Sequence, residues 1–516
     1  MIRKADKNKH IDHKKMKRHM KNYIAIIGAF LAICIGASNS FAQKFDGYAL
    51  YNKTKDNFTY LIDKDGEIAK TWNLDIGCNY AVLLKPNGNL IRGGVYGNNQ
   101  LSGSAIGGIV QEIDSNGDVV WEFVYSTSEY CSHHDITLIG DNVLLTAWEV
   151  KSTAELTQAG YDGANSSKWP THLVEVQQDG SGGKIVWEWH LWDHLIQDHD
   201  STKDNYGVVA DHPELFDINM VAGSSRPGSG DWFHVNGVDY NPDLDQIAFS
   251  SRLASEIYII DHSTTTAEAA THSGGNSGKG GDILYRWGNP ANYGAAGDQI
   301  ISAAVHDVRW IKNGRPNEGY LQVFNNEGAS DGGSTIDAIK TPVNGYTYDL
   351  TPGKAFEPTS YSWRHDCLDN ANGQSASDRM SNGNTFVNLS KSYMYEVDSL
   401  GNVVWQYNGG GPQKAFRYEC DYPGIMTLLN NPCLLSVDET SIPDLSVYPN
   451  PSTGEFTIEG LESTNFQVHV YDPLGKMILE VSNTTNIDLS SFPEGMYILK
   501  VTESGTTVSQ RLAVIR

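Results

Sequence analysis

The sequence predicts an all-β chain, a six-bladed β-propeller followed by a small C-terminal β-sandwich. Three observations predict it. The 516 residues hold 51 glycines, 26 tyrosines and 12 tryptophans, and their apolar runs are short and strand-like. A weak repeat recurs from about residue 46 to 440, and its composition gives way at about 440 to a compact set of turns and strands.

Each repeat is a hairpin with an Asn-Gly turn, a strand ending in an Ile/Val-Asp pair, a second turn, and a strand ending in Trp. One copy runs from LLKPNGNLIRGG (83–94) into VQEIDSNGDVVWEF (110–123), another from RMSNGNTFVNLS (379–390) into YEVDSLGNVVWQY (395–407). Partial copies occupy 60–74, 172–189 and 257–288. Asn-Gly and Asp-Gly between alternating apolar residues are strong hairpin signals, because both central residues must reach positive φ. Four-stranded units recurring roughly every 50–75 residues read as propeller blades. Inner hairpins beginning near 80, 134, 234, 306 and 378 define five blades. Residues 46–74 supply a sixth, closed by strands from the end of the repeat region; seven blades is the alternative count. The gap at 150–233 contains WHLWDHLIQDHD and HPELFDINM, read as a helical insertion above one face.

The chain divides into 1–42, 43–440 and 441–516. Residues 1–22 are basic, 23–37 are an apolar run of about fifteen, and Ser40-Phe41-Ala42 is a small-x-small cleavage site, so 1–42 reads as a secretory signal. The run is short for a membrane span, and no stable span is expected. Cleavage would deepen the net charge of −24 to about −31, which argues against nucleic acid as a partner. Export permits disulfides. Of the five cysteines beyond residue 42, Cys420–Cys433 is the first expected bridge and Cys78–Cys131 the second.

The chemistry concentrates in three hairpins, each opened by a histidine. His234 opens HVNGVDYNPDLDQIAFSSR, which folds residue 234 opposite Arg252; His134 opens HDITLIGDNVLLTAWE; His306 opens HDVRWIKNGRPNEGYLQVFNN, which returns Asn325 beside it. First strands line a propeller's channel, so the three imidazoles should converge at one rim, joined by Arg252 and Asn325. Such a ring suits a tetrahedral anion, and an imidazole there can act as acid, base or nucleophile. The structural alternative is a scatter of histidines that satisfy buried polar groups. His133 should alternate away from His134 on a strand and be structural, and His365 is a further histidine near the set. His190, His194 and His199 have helical spacing that could hold zinc, but no metal is assigned. The tryptophans around them could instead roof the channel. DKDG (63–66) and DSNGD (114–118) are explained by turn chemistry rather than calcium.

Two resemblances follow from these motifs. HHDITLI (133–139), WFHVNGVDYNP with SSR (232–252), and VHDVRWI followed by VFNN (305–326) resemble the bacterial arylsulfate sulfotransferase family across most of 46–430. That resemblance implies a six-bladed propeller that moves sulfuryl groups from a phenolic sulfate ester to a phenol, without a nucleotide donor or cofactor. It implies His306 as the histidine that becomes sulfated, with His134, His234 and Arg252 as its catalytic partners and Asn236 and Asn325 contacting substrate. The C-terminal module, with YPNP-x-x-G, YD-x-x-G-K and L-x-x-G-x-Y-x-L-K-V, resembles the type A sorting domain of the type IX secretion system. It implies that secretion machinery as a partner and a secreted or cell-surface location. A non-catalytic propeller binding sulfated or phenolic ligands, and a sulfate-ester hydrolase, are the competing functions.

Overall fold

The computed structural model describes residues 43–515 apart from 54, 222–229, 298, 300–303, 431, 435–444, 462–463, 473–475 and 504–505. The expected signal segment and the SIPD linker at 441–444 lie outside the described residues. The chain forms two compact units, Met1–Gly424 and Ile425–Arg516.

In the first unit the described residues form six four-stranded antiparallel sheets, the blades of a propeller. Blade 1 is closed across the chain ends: Lys414–Glu419 pairs with Gly47–Asn52, which leads to Phe58–Ile62 and Ile68–Asn73. Blades 2 to 6 start with the strands Cys78–Leu84, Tyr130–Ile139, Val235–Asn241, Val305–Trp310 and Ala376–Arg379. These five strands and Lys414–Glu419 contact one another in a closed ring around the central axis. The apolar core lies between neighbouring blades. Ile91, Trp121, Val143 and Val174 join blades 2 and 3, and Ile257, Trp287, Val305 and Val323 join blades 4 and 5.

The repeat has a physical reason in these junctions. The indoles of four outer-strand tryptophans donate to a carbonyl in the next blade: Trp72 to Asp114 at 3.0 Å, Trp121 to Gly182 at 2.6 Å, Trp189 to Gly281 at 2.7 Å and Trp287 to Pro358 at 2.6 Å. A tryptophan and a turn recur together because they meet across blades. The Asp63 and Asp114 carboxylates accept backbone N–H groups within their own turns, as turn chemistry requires.

The 150–233 segment is less of an insertion, and less helical, than the sequence suggests. Thr171–Asp179 and Gly182–His190 are the third and fourth strands of blade 3. Beyond them Leu191–His194 and Val209–Asp211 form single 3₁₀ turns, with short strands at Leu195–Ile196 and Phe216–Asp217; the α-helix of the segment is Thr153–Gln158. Leu191, Leu195, Phe216 and Ile218 pack with Phe233, Phe249 and Tyr258 of blade 4, so burial overrides the helical spacing of the aromatic residues. Cys420 and Cys433 are disulfide-bonded. The expected Cys78–Cys131 bridge does not form: Cys78 donates its thiol to the Lys53 carbonyl at 2.7 Å, Cys131 faces Asn99, and both are free.

The second unit is a two-sheet sandwich. Ser446–Tyr448, Glu455–Glu459 and Asn486–Asp488 form one sheet; Met477–Ser482, Phe466–Tyr471, Gly495–Glu503 and Thr506–Val514 form the other. Phe456 and Ile487 from the first pack against Val468, Leu499 and Leu512 from the second.

Candidate functional site

Inner strands begin with a fault in their register. Pairing slips between His133 and Ile136, between Val235 and Gly237, and between His306 and Arg309. His134 (φ 46°), His234 (φ 56°) and Asp307 (φ 54°) hold left-handed backbone conformations there. Bulges re-aim side chains, and uncommon backbone conformations of this kind cluster where function requires them. Here they bring the His134 and His234 rings to 4.5 Å, edge to face. The expected pairing of residues 234 and 252 is present, since the Arg252 amide donates to the His234 carbonyl at 3.1 Å.

His234, His306, Arg252 and Tyr80 line a cavity of about 410 Å³ whose far wall comes from residues 370–374, Ser390, Lys391 and Gln413. His306 Nδ1 faces two acceptors, the Ala304 carbonyl at 2.8 Å and Asn326 Oδ1 at 2.5 Å. Nδ1 therefore carries the proton and Nε2 keeps its lone pair. Burial, followed by the charges of Arg252 and His234, pushes the His306 pKa down to about 3, so the ring is neutral at pH 7. His234 Nδ1 lies 2.5 Å from Asp231 Oδ2, and Trp148 Nε1 donates to the other oxygen at 3.1 Å. Burial alone would raise the Asp231 pKa, but His234 and His133 hold it below the usual carboxylate range.

Beneath the histidines lies a buried charge cluster that sequence reasoning missed. Lys414 Nζ lies 2.8 Å from Asp135 and 2.9 Å from Asp307, and both acids follow a site histidine directly. Arg309 grips Asp307 with Nε at 3.1 Å and Nη2 at 3.0 Å. The acids also tie blades together: Asp135 accepts from Val238 N, Asp239 from Trp310 N and Asp307 from Ser377 N. His-Asp in two hairpins was the available signal, but Lys414 lies far away in sequence. Lys414→Met would leave two buried carboxylates poorly compensated. It is expected to destabilise the propeller by about 3–5 kcal/mol, read as a fall in Tm of roughly 10 °C in a thermal melt.

Three expectations require correction. Asn325 does not line the cavity: its amide faces Asp337 at 3.4 Å, because strand alternation turns it away and gives the site side to Asn326. Asn236 is also absent from the wall; it donates to the Val305 carbonyl at 2.9 Å and accepts from Ser250 at 2.7 Å, which fixes blade 4 to blade 5. His133 does not alternate away from His134. The bulge puts their Nδ1 atoms 2.8 Å apart, while His133 stacks on Trp148 at 4.3 Å. His190, His194 and His199 do not converge either, since His190 faces Glu149, His194 faces Asp282 and His199 faces Asp162. His365 reaches Tyr395 at 3.0 Å.

Residues 12–348 match the family model described as arylsulfotransferase (ASST), a stretch that contains His134, His234, Arg252 and His306. The chain belongs to the arylsulfotransferase family. Aryl sulfotransferase activity is the general activity of that family, and residues 446–515 match the secretion-system C-terminal sorting domain, which points to secretion or the cell surface. Among curated proteins, ulvan lyase NLR42 of Nonlabens ulvanivorans is 33% identical over 85 residues, 16% of each chain. An endo-acting ulvan lyase of Formosa agariphila is 25% identical over 131 residues, 24% of this chain and 25% of that one. The arylsulfotransferase chain thus spans a quarter or less of these relatives. Among solved structures, a protein of unknown function from Bacteroides caccae is 13% identical with a TM-score of 0.39, covering 72% of this chain and 98% of that one. The periplasmic gluconolactonase PpgL of Pseudomonas aeruginosa is 12% identical with a TM-score of 0.36, covering 91% and 99%. Among the described residues no helix is long and apolar enough to cross a membrane.

Proposed function

We propose that the chain is a secreted aryl-sulfate sulfotransferase that passes a sulfuryl group from a phenolic sulfate ester to a phenol through a sulfohistidine at His306. The observation that carries this reading is the His306 ring itself, neutral, with its proton held on Nδ1 by Asn326 and Ala304, on a cavity shared with an arginine and a second histidine. In the first step the Nε2 lone pair forms an N–S bond as the aryl O–S bond breaks. The leaving phenolate takes a proton from an imidazole, and His234, backed by Asp231, is suited to supply it. In the second step the acceptor phenol attacks sulfur, returns its proton to that imidazole, and releases His306. Arg252 can pair with two sulfuryl oxygens, and His134 lies behind His234 to share the charge. Tyr80 supplies an aromatic wall for either phenol. On this reading the N-terminal signal exports residues 43–440, and the sorting module 441–516 hands them to the type IX machinery. No nucleotide or cofactor takes part.

The test uses 4-nitrophenyl sulfate with and without phenol. Nitrophenol release accelerated by phenol, with sulfation of the His306 peptide seen by mass spectrometry before phenol is added, is the expected result. Release indifferent to phenol means hydrolysis. No release across several aryl sulfates leaves a binding module and sinks the proposal.

A further inference from the structure

We propose that His194, His272 and Asp282 form a binding site for a divalent transition-metal ion of the zinc class, separate from the cavity of the site histidines. The starting point is a proton count on His194, which is fully buried. Its Nε2 lies 2.8 Å from the Ala269 carbonyl and its Nδ1 2.9 Å from an Asp282 carboxylate oxygen, so both ring nitrogens face acceptors. A neutral imidazole has one N–H and can satisfy one of them. A carbonyl oxygen accepts only, so Nε2 carries a proton, and Nδ1 is the ring atom turned to the carboxylate. His272 Nδ1 reaches that same Asp282 oxygen at 2.7 Å, and the three potential ligand atoms lie within 4.8 Å of one another. Two imidazole nitrogens and a carboxylate oxygen at one point are a donor set for Zn²⁺ and its neighbours.

The surroundings hold this arrangement in place. A metal-bound histidine characteristically donates its other N–H to a carbonyl or carboxylate, and Ala269 accepts it here. Trp189 stacks on the His194 ring at 5.7 Å and 7°, and its indole donates to the Gly281 carbonyl. A Cβ at Gly281 would lie 2.0 Å from the Ala269 carbonyl and 2.6 Å from His194 Nε2, so only glycine lets the loop close over the ring. His194 comes from the turn after blade 3, and His272 and Asp282 come from the long loop within blade 4. The ion would clip that loop to the turn, with water in the fourth position beside the exposed His272.

The test is calorimetric titration of the EDTA-stripped, dialysed full chain with ZnCl₂, beside His272→Ala and Asp282→Asn. His272 is on the surface, so its loss should leave the fold intact. The expected result is one Zn²⁺ bound per chain, weakened at least ~10–100-fold in His272→Ala, with phenol-dependent turnover of 4-nitrophenyl sulfate unchanged. Asp282→Asn should weaken binding likewise. Absence of Zn²⁺ binding, or binding that His272→Ala leaves unaltered, overturns the proposal.

Discussion

Replacing His306 with alanine is expected to reduce phenol-dependent nitrophenol release from 4-nitrophenyl sulfate by at least ~10³-fold, about 4 kcal/mol of barrier. The size follows from the mechanism. Without Nε2 no covalent intermediate forms, and what remains is substrate held beside Arg252 and His234. Asn326→Leu separates the tautomer from the atom. It removes the acceptor at 2.5 Å from His306 Nδ1 while leaving the nucleophile present. A second tautomer, with the proton on Nε2, then competes, and kcat is expected to fall by roughly 10–100-fold. Because Asn326 also donates to the Ala371 carbonyl at 2.6 Å, near-ultraviolet circular dichroism of the variant must match the parent. Full activity in His306→Ala refutes the assignment of the nucleophile. Loss in His306→Ala with an unaffected Asn326→Leu would mean that the Ala304 carbonyl fixes the tautomer unaided.

A steep loss of stability in mild acid is the second large effect. Burial is the leading cause that pushes His133, His172 and His306 down to about 3, and His134 falls well below the ordinary histidine value for the same reason. Unfolded, each titrates near 6.5. Between about 6.5 and 3 the unfolded chain therefore binds protons that the folded chain refuses, and stability must rise with pH across that window. Each such histidine removes up to about 1.4 kcal/mol per pH unit as the pH drops below 6.5. Asp231, Asp307 and Glu149, all held low by nearby cations or histidines, add to the loss at the acid end. Asp239, which burial raises to about 6, opposes it, as do Asp217 and Asp337, whose carboxyls burial also raises. Thermal melts from pH 6.5 to 4.5 should show Tm falling ever more steeply as the pH drops. A flat Tm down to pH 5 would show that the histidines are solvated or already charged in the folded chain. Activity should not follow the His306 titration in this range, because its ring stays neutral until the pH nears 3.

How much of this could be read from the sequence depends on how far apart the deciding residues lie. The blades were legible because the Asn-Gly turns, the period-two strands and the closing tryptophans are local signals. The tryptophan also recurs in step with the turn it meets in the next blade. The histidines at 134, 234 and 306 were legible because equivalent places in a repeat fall at equal depth, and Arg252 because a hairpin fixes the residue opposite. Asn326 was missed for Asn325 by one residue, since in a strand the neighbour points to the opposite face. His133 was misjudged by that same alternation rule, which fails where a bulge and a left-handed His134 break it.

The sequence by itself determined the all-β class, the blade repeat, the sandwich at the C-terminus and the three histidines that open inner hairpins. Each follows from short-range turn chemistry and repetition. Only the tertiary structure decided which nitrogen of His306 is free, that Lys414 bridges Asp135 and Asp307, and that His194 answers to His272 rather than His190. The physical reason is closure. Lys414 lies in the last strand of the ring, and sealing that ring against the first strands brings it to carboxylates that chain spacing never relates to it. Burial around the closed channel then sets the protonation states on which the chemistry depends.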